Sequence, residues 1–390
     1  MTEGASPRNL LHVLPWIVAT LIAVHACMAV TRVTATLWAL DQGYGEWTVG
    51  VLLSLFAVAP IAMSMWAGRL ADRYGFHRPV AVGVGMGLAG SVIVLAYPSM
   101  PTVAIGCLLT GGAISTAAVA IQREAGLMTE SPHDLKRIFS WISLAPALSN
   151  AIAPITAGIL IDTAGFRWTF AFAVLLPIVA WVLARQVPRH PPAPHHDAAA
   201  APPAWHLLRE GPLRNLLLVN VVLSTCWDVH TFVVPVVGHA KELSASSIGL
   251  VLGSFAVAAT FVRLAIVRFA RHLDELKALR SAMVLATVVL AVYAWLPGTA
   301  GMVLGSSLLG IALGSVQPMI LSTLHQVTPR ERHGQALGLR MLTVNVATVA
   351  MPVGFGLLAS AFVVAAPMWL MAGLLVAAQW PAGALRRKLS

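Results

Sequence analysis

Between Arg78 and Arg123 the chain runs 44 residues without Asp, Glu, Lys or Arg. Between Arg280 and Arg330 it runs 49, and between Arg340 and Arg386 it runs 45. A helix that crosses a bilayer needs about 20 apolar residues, so each tract is long enough for two crossings joined by a short turn. The first two carry Pro and Gly at their middles, PSMP at 98–101 and PGTAG at 297–301, where a turn is expected. Single spans are read at about 13–37, 48–67, 139–162, 167–185, 213–236 and 246–267, which brings the total to twelve crossings. These segments are about twice as long as a barrel strand and lack apolar/polar alternation. In hydrocarbon every backbone N–H and C=O must be paired within the protein, which leaves helices.

Composition agrees. Only 10% of the 390 residues are charged and 58% are hydrophobic, whereas an average soluble domain carries roughly 25% charged residues. A water-soluble globule is excluded. The net charge of +10 does not point to nucleic acid, because the basic residues lie in short loops between apolar spans. Sorting the loops by side places 20 of the 25 Lys and Arg on one side and leaves Arg167 and Lys241 on the other, with three inside spans. Basic loops stay in the cytoplasm, so both termini are expected there, in a bacterial inner membrane whose anionic lipids the basic side meets. No cleavable signal peptide is expected, because the apolar run after Asn9 is too long for one.

The stretch 186–212 contains PRHPPAPHHDAAAAPPA. That composition reads as a linker, so the expected domains are residues 1–185, a cytoplasmic linker 186–212, and residues 213–390. The linker histidines are read as solvated rather than metal-binding. Cys27, Cys107 and Cys226 fall inside apolar tracts and read as small packing residues rather than a disulfide framework.

The two halves also resemble each other. VGVLLSLFAVAP at 49–60 aligns with IGLVLGSFAVAA at 248–259, an offset of 199. Pro154 and Gly158 align with Pro352 and Gly356 at an offset of 198. The fold class expected is an all-α membrane protein of twelve transmembrane helices in two pseudo-symmetric six-helix bundles. Repeats of this kind place a substrate site near the midplane and rock around it.

The second span ends in GRLADRYGFHRP at 68–79. This resembles the loop 2–3 signature of the major facilitator superfamily, G-x-L-a-D-r-x-G followed by two basic residues. Gly68, Leu70, Asp72, Arg73 and Gly75 match, while Phe76 and His77 replace the basic pair and Arg78 comes one place late. The resemblance implies that Asp72 and Arg73 latch the halves on the cytoplasmic side. Gly68 is read as allowing close packing of the second span. In the second half RFARH at 268–272 puts Arg271 opposite Asp72. SNAIAPITAG at 149–158 resembles the antiporter signature of the fifth helix, with Pro154 and Gly158 kept and Ala153 and Ala157 in place of glycines. Small residues in such a stretch also serve general helix packing.

Ionisable groups inside spans are costly and are functional candidates. Asp228 is the one acid deep within a span, suited either to binding and releasing a proton or to an ion pair with an arginine. His230 lies roughly 200° away around the same helix, so the two do not share a face; it is a second proton candidate or a packing residue. Arg32 corresponds by the offset to Thr231, one turn from Asp228, and the resemblance places its helix at the central cavity. It can pair with Asp228 or hold an anion. Arg263 and Arg340 lie near the cytoplasmic ends of their spans and read as gate residues, because long side chains snorkel from there. His25, Gln317, Trp38 and Trp227 are further cavity candidates.

The chain has no phosphate loop, zinc-ligand spacing or nucleophile triad, so neither a cofactor nor an enzyme activity is expected. A proton gradient is the expected energy source, and the resemblance implies a monomer. The leading reading is proton-coupled export of small organic, drug-like or amphiphilic compounds. A second is uptake of an organic anion such as a carboxylate or siderophore. A third, of another class, is a sensor or scaffold that keeps the fold without transporting.

Overall fold

Long apolar tracts have one economical way to pair their backbone in lipid, and the chain takes it. The computed structural model describes residues 7–128, 132–188, 204–209, 211–269, 274–328 and 333–389. Its helices are α1 (Pro7–Asp41), α2 (Glu46–Tyr74), α3 (His77–Ala96), α4 (Met100–Leu127), α5 (Pro132–Ala164) and α6 (Phe166–Ala184). They continue as α7 (Gly211–Ala240), α8 (Ala245–Phe269), α9 (Glu275–Val292), α10 (Gly298–Gly314) and α11 (Val316–Val327). The last two are α12 (His333–Ala361) and α13 (Ala366–Leu389). Among the described residues, twelve helical segments are long and apolar enough to cross a membrane. The tenth consists of α10 and most of α11, interrupted at Ser315.

The turns fall where Pro and Gly signalled them. α3 ends at Ala96 and α4 starts at Met100, where Thr102 Oγ1 accepts from the Ser99 backbone N–H at 2.9 Å. Gly298 opens α10 with φ +50°. Gly75, in the turn after α2, has φ +70°, a conformation that a residue with a Cβ adopts only at a cost. The third uncharged tract turns at 362–365 with no Pro or Gly to mark it.

Contacts divide the chain into two compact units: Met1–Gln42 with Leu55–Asp197, and Gly43–Ser54 with Ala198–Ser390. In the first, α1 packs on α4, α5 and α6, and α3 lies on α4 and α6. In the second, α7 packs on α12 and α13, α8 on α10, and α9 on α13. The repeat is built into the backbone of both. A Cβ on Gly111 would strike the Phe56 carbonyl, and one on Gly310 would strike the Phe255 carbonyl. Both glycine and phenylalanine pairs are separated by the 199-residue offset. Glycine thus lets α4 meet α2, and α10 meet α8, at backbone contact.

Three local differences from the sequence expectation have physical causes. Residues 43–54, read there with the first half, pack with the second unit. The end of the linker forms a short 3₁₀ helix (Ala204–Arg209) against α7 and α12, because Leu207 is an apolar residue with a core to enter and is fully buried. α4 runs on through Arg123 and Glu124, and Glu124 is only 3% exposed. Linker residues 189–203, with His190, His195 and His196, and Arg271 lie outside the described residues.

Candidate functional site

Asp228 stands in the middle of α7, partly exposed, in a stretch where Val229 and His230 are buried. Thr348 of α12 donates its hydroxyl to Asp228 Oδ2 at 3.3 Å. A polar neighbour of this kind steadies a carboxylate in a span, where an isolated charge is expensive.

In the first unit the corresponding arrangement involves Arg32. Its Nη2 donates to Asn150 Oδ1 of α5 at 3.1 Å. Asn150 and Thr348 are separated by 198 residues, the same offset as Pro154 and Pro352. Each unit therefore holds the charged residue of its first helix with a neutral polar residue at the equivalent place on its fifth. Seven residues before Arg32, on the same face of α1, His25 is 9% exposed, and its Nδ1 has no hydrogen-bond partner among the described residues. Ser149 Oγ donates to the Ile22 carbonyl at 3.0 Å and ties α5 to α1 beside it. Trp38, farther along α1, is buried.

His230 faces the interior of its own unit. Its Nε2 lies 2.8 Å from Ser306 Oγ, and that hydroxyl lies 2.5 Å from the Tyr293 hydroxyl. The imidazole stacks on Phe255 with ring centroids 4.3 Å apart. His230, Tyr293 and Ser306 are all essentially unexposed, so this chain joins α7 to α10 and to the end of α9. Ser306→Ala would leave His230 Nε2 without its buried partner, at a cost of about 1–3 kcal/mol, while the Tyr293 hydroxyl would keep its bond to the Met302 carbonyl at 3.3 Å. Its unfolding temperature in detergent is expected to fall, while Ser306→Thr, which retains the hydroxyl, is expected to lose less.

Trp227 meets Phe255 edge-on at 4.4 Å, and the Arg263 guanidinium lies 5.9 Å from the Trp227 ring. Arg263 Nε is buried without a hydrogen-bond partner among the described residues. Arg340 Nε donates to Asn220 Oδ1 at 3.4 Å, and the buried Asn220 Nδ2 has no such partner. Gln317 is exposed in the first turn of α11.

At the end of α2, Tyr74 is flanked by two guanidiniums, Arg73 at 5.3 Å and Arg78 at 4.1 Å from its ring centroid. The Asp72 side chain lies outside the described residues. A Cβ on Gly68 would meet nothing within 4 Å among the described residues.

The close packing occurs at the opposite end of α2. A Cβ on Gly50 would strike the Pro352 carbonyl, and one on Gly356 would come 2.8 Å from the Glu46 carbonyl. Ser54 Oγ donates to the Val349 carbonyl at 2.7 Å, and Ser360 Oγ bonds the Trp47 amide and Glu46 Oε2, each at 3.2 Å. Pro352 and Gly356 are the repeat equivalents of Pro154 and Gly158, which are buried in α5. Sequence reasoning missed Asn150, Thr348, Asn220 and Ser306, since neutral polar residues carry no hydropathy signal strong enough to mark them. The repeat offset was the clue that could have linked the first two.

No group of three or more His, Cys, Asp or Glu able to hold a metal ion occurs among the described residues, and the three cysteines are buried and free.

A family model described as Major Facilitator Superfamily matches residues 17–325. The enterobactin exporter EntS of Citrobacter koseri is 23% identical over 223 residues, covering 55% of this chain and 54% of that protein. The class B tetracycline resistance protein of Escherichia coli is 29% identical over 137 residues, covering 34% of this chain and 33% of that protein. The chain therefore spans little more than half the length of the first relative and a third of the second. Among solved structures, the nucleoside transporter NupG superposes with a TM-score of 0.76 at 14% identity, over 95% of this chain and 98% of that one. A bacterial homologue of the human lysosomal transporter Spinster superposes at 0.78 with 13% identity, over 98% of each chain. These two likenesses show the fold.

Proposed function

The chain belongs to the major facilitator superfamily, and from that membership we propose that it exports small organic, amphiphilic compounds in exchange for protons by alternating access. It is a transporter of small molecules and not an enzyme. The observation that carries the proton reading is Asp228, the one carboxylate in the middle of a span among the described residues. In this reading Asp228 takes up and releases the proton, with Thr348 as its steadying donor. Export is supported by the names of the two curated relatives, an enterobactin exporter and a tetracycline resistance protein, and by Pro154 and Gly158 in the antiporter-like stretch. The 20 basic residues on one side of the membrane support cytoplasmic termini in a bacterial inner membrane.

His25, Arg32 and Asn150 are the substrate-holding set in the same reading. A buried imidazole nitrogen without a partner is unfavourable until something bonds it, and a polar substrate group suits that need. Arg263, Arg340, Arg73 and Gly75 belong to the moving ends of the helices.

Arg32 also favours a second reading, uptake of an organic anion, because a guanidinium positioned by Asn150 suits carboxylate recognition. Deleting the gene in its host separates the two. Export predicts sensitivity to lipophilic compounds, relieved by the wild-type gene. Unchanged sensitivity, with lost growth on an organic acid, would establish uptake instead.

A further inference from the structure

Outside these polar sets, the second unit carries a groove of about 600 Å³ along α9 and α13. Lys277, Arg280, Ser281 and Gln379 line one part, and Val284 and Val288 line the other. We propose that this groove is a binding site for one anionic phospholipid, with its phosphate on the polar part and an acyl chain along the valines.

Three observations converge on that occupant. First, height: Lys277 and Arg280 sit in the opening turns of the span Glu275–Trp295, where head groups meet the hydrocarbon. Second, charge: the two cations stand one turn apart on α9. The Arg280 guanidinium is held by Gln379, Nε donating to Oε1 at 3.2 Å while Gln379 Nε2 donates to the Arg280 carbonyl at 3.4 Å. This grip pre-orients a fork of donors whose shape matches a phosphate. The nearby acids do not line the groove. Asp274 caps α9 and pairs with Lys277 at 3.4 Å, and Glu275 accepts from Ser322 and Gln326. Third, the wall: Val284, Val288 and Val292 are 56%, 57% and 43% exposed. At four-residue spacing they form one stripe that starts in the groove at Val284 and Val288 and gives an acyl chain a path away from the two cations. Basic pockets between transmembrane helices recognise acidic head groups in this way.

The test uses the detergent-purified full chain and native mass spectrometry, with dioleoyl phosphatidylglycerol titrated against dioleoyl phosphatidylcholine. Wild type is expected to retain one phosphatidylglycerol in preference to phosphatidylcholine. Lys277→Gln and Arg280→Gln are each expected to weaken retention about fivefold, the effect of one basic residue at an anionic surface. Val284→Asp is expected to weaken it while leaving both cations in place, and Arg280→Lys to retain part of it. Melting curves without lipid check that each variant folds. Equal retention by wild type and the folded double variant Lys277→Gln/Arg280→Gln would overturn the proposal. So would competition by inorganic phosphate at the concentration of the lipid, since the site would then take a free anion.

Discussion

Asp228→Asn is expected to reduce pH-driven transport in proteoliposomes to the level of empty vesicles while leaving substrate counterflow measurable. The amide has the size of the carboxyl, and its oxygen can still accept from Thr348, which donates at 3.3 Å in the wild type. What it loses is the ability to bind and release a proton. Steps that need no proton release, such as exchange of labelled for unlabelled substrate, therefore survive, and net movement against a gradient does not. Asp228→Glu keeps the titrating group and is expected to recover part of the coupling. If both activities fell together with thermal stability, Asp228 would be a structural partner and the proton site would lie elsewhere.

The second large effect is steric. Gly50→Ala places a methyl group against the Pro352 carbonyl, and neither backbone can yield as a side chain would. Overpacking of this kind costs about 1–3 kcal/mol, which disfavours the packed arrangement of residues 43–54 on α12 by a factor of about 5–150. Gly45→Ala, in the same segment but with nothing among the described residues within 4 Å of the new methyl, is the control. Transport by Gly50→Ala is expected to collapse and amide exchange in 43–54 to accelerate, with Gly45→Ala close to wild type. Equal behaviour of the two would show that the contact between α2 and α12 plays no part in the cycle.

The crossings were legible because the bilayer permits so few alternatives. A 44-residue uncharged tract broken by PSMP has to become two helices and a turn, as α3 and α4 do. The repeat was legible in Phe56 and Phe255, and the structure gives it a cause in Gly111 and Gly310, each admitting a carbonyl of the neighbouring helix. The charged candidates stood out because lipid penalises them. Their partners did not. Asn150 and Thr348 are ordinary polar residues in apolar helices, and their roles emerge only when α5 lies on α1 and α12 on α7. The same holds for Ser306 beneath His230 and for residues 43–54, whose attachment to α12 depends on contacts over 300 residues away in sequence.

The central claim is proton antiport, and its sign can be measured. Purified protein is reconstituted in vesicles that enclose a pH-sensitive dye and have an acidic lumen, and a lipophilic cation or other amphiphilic compound is added outside. The account predicts that the compound accumulates inside while the lumen becomes more alkaline, with the two changes starting together, and that neither occurs with Asp228→Asn. Accumulation of the compound together with further acidification, or with no change in luminal pH, would contradict antiport.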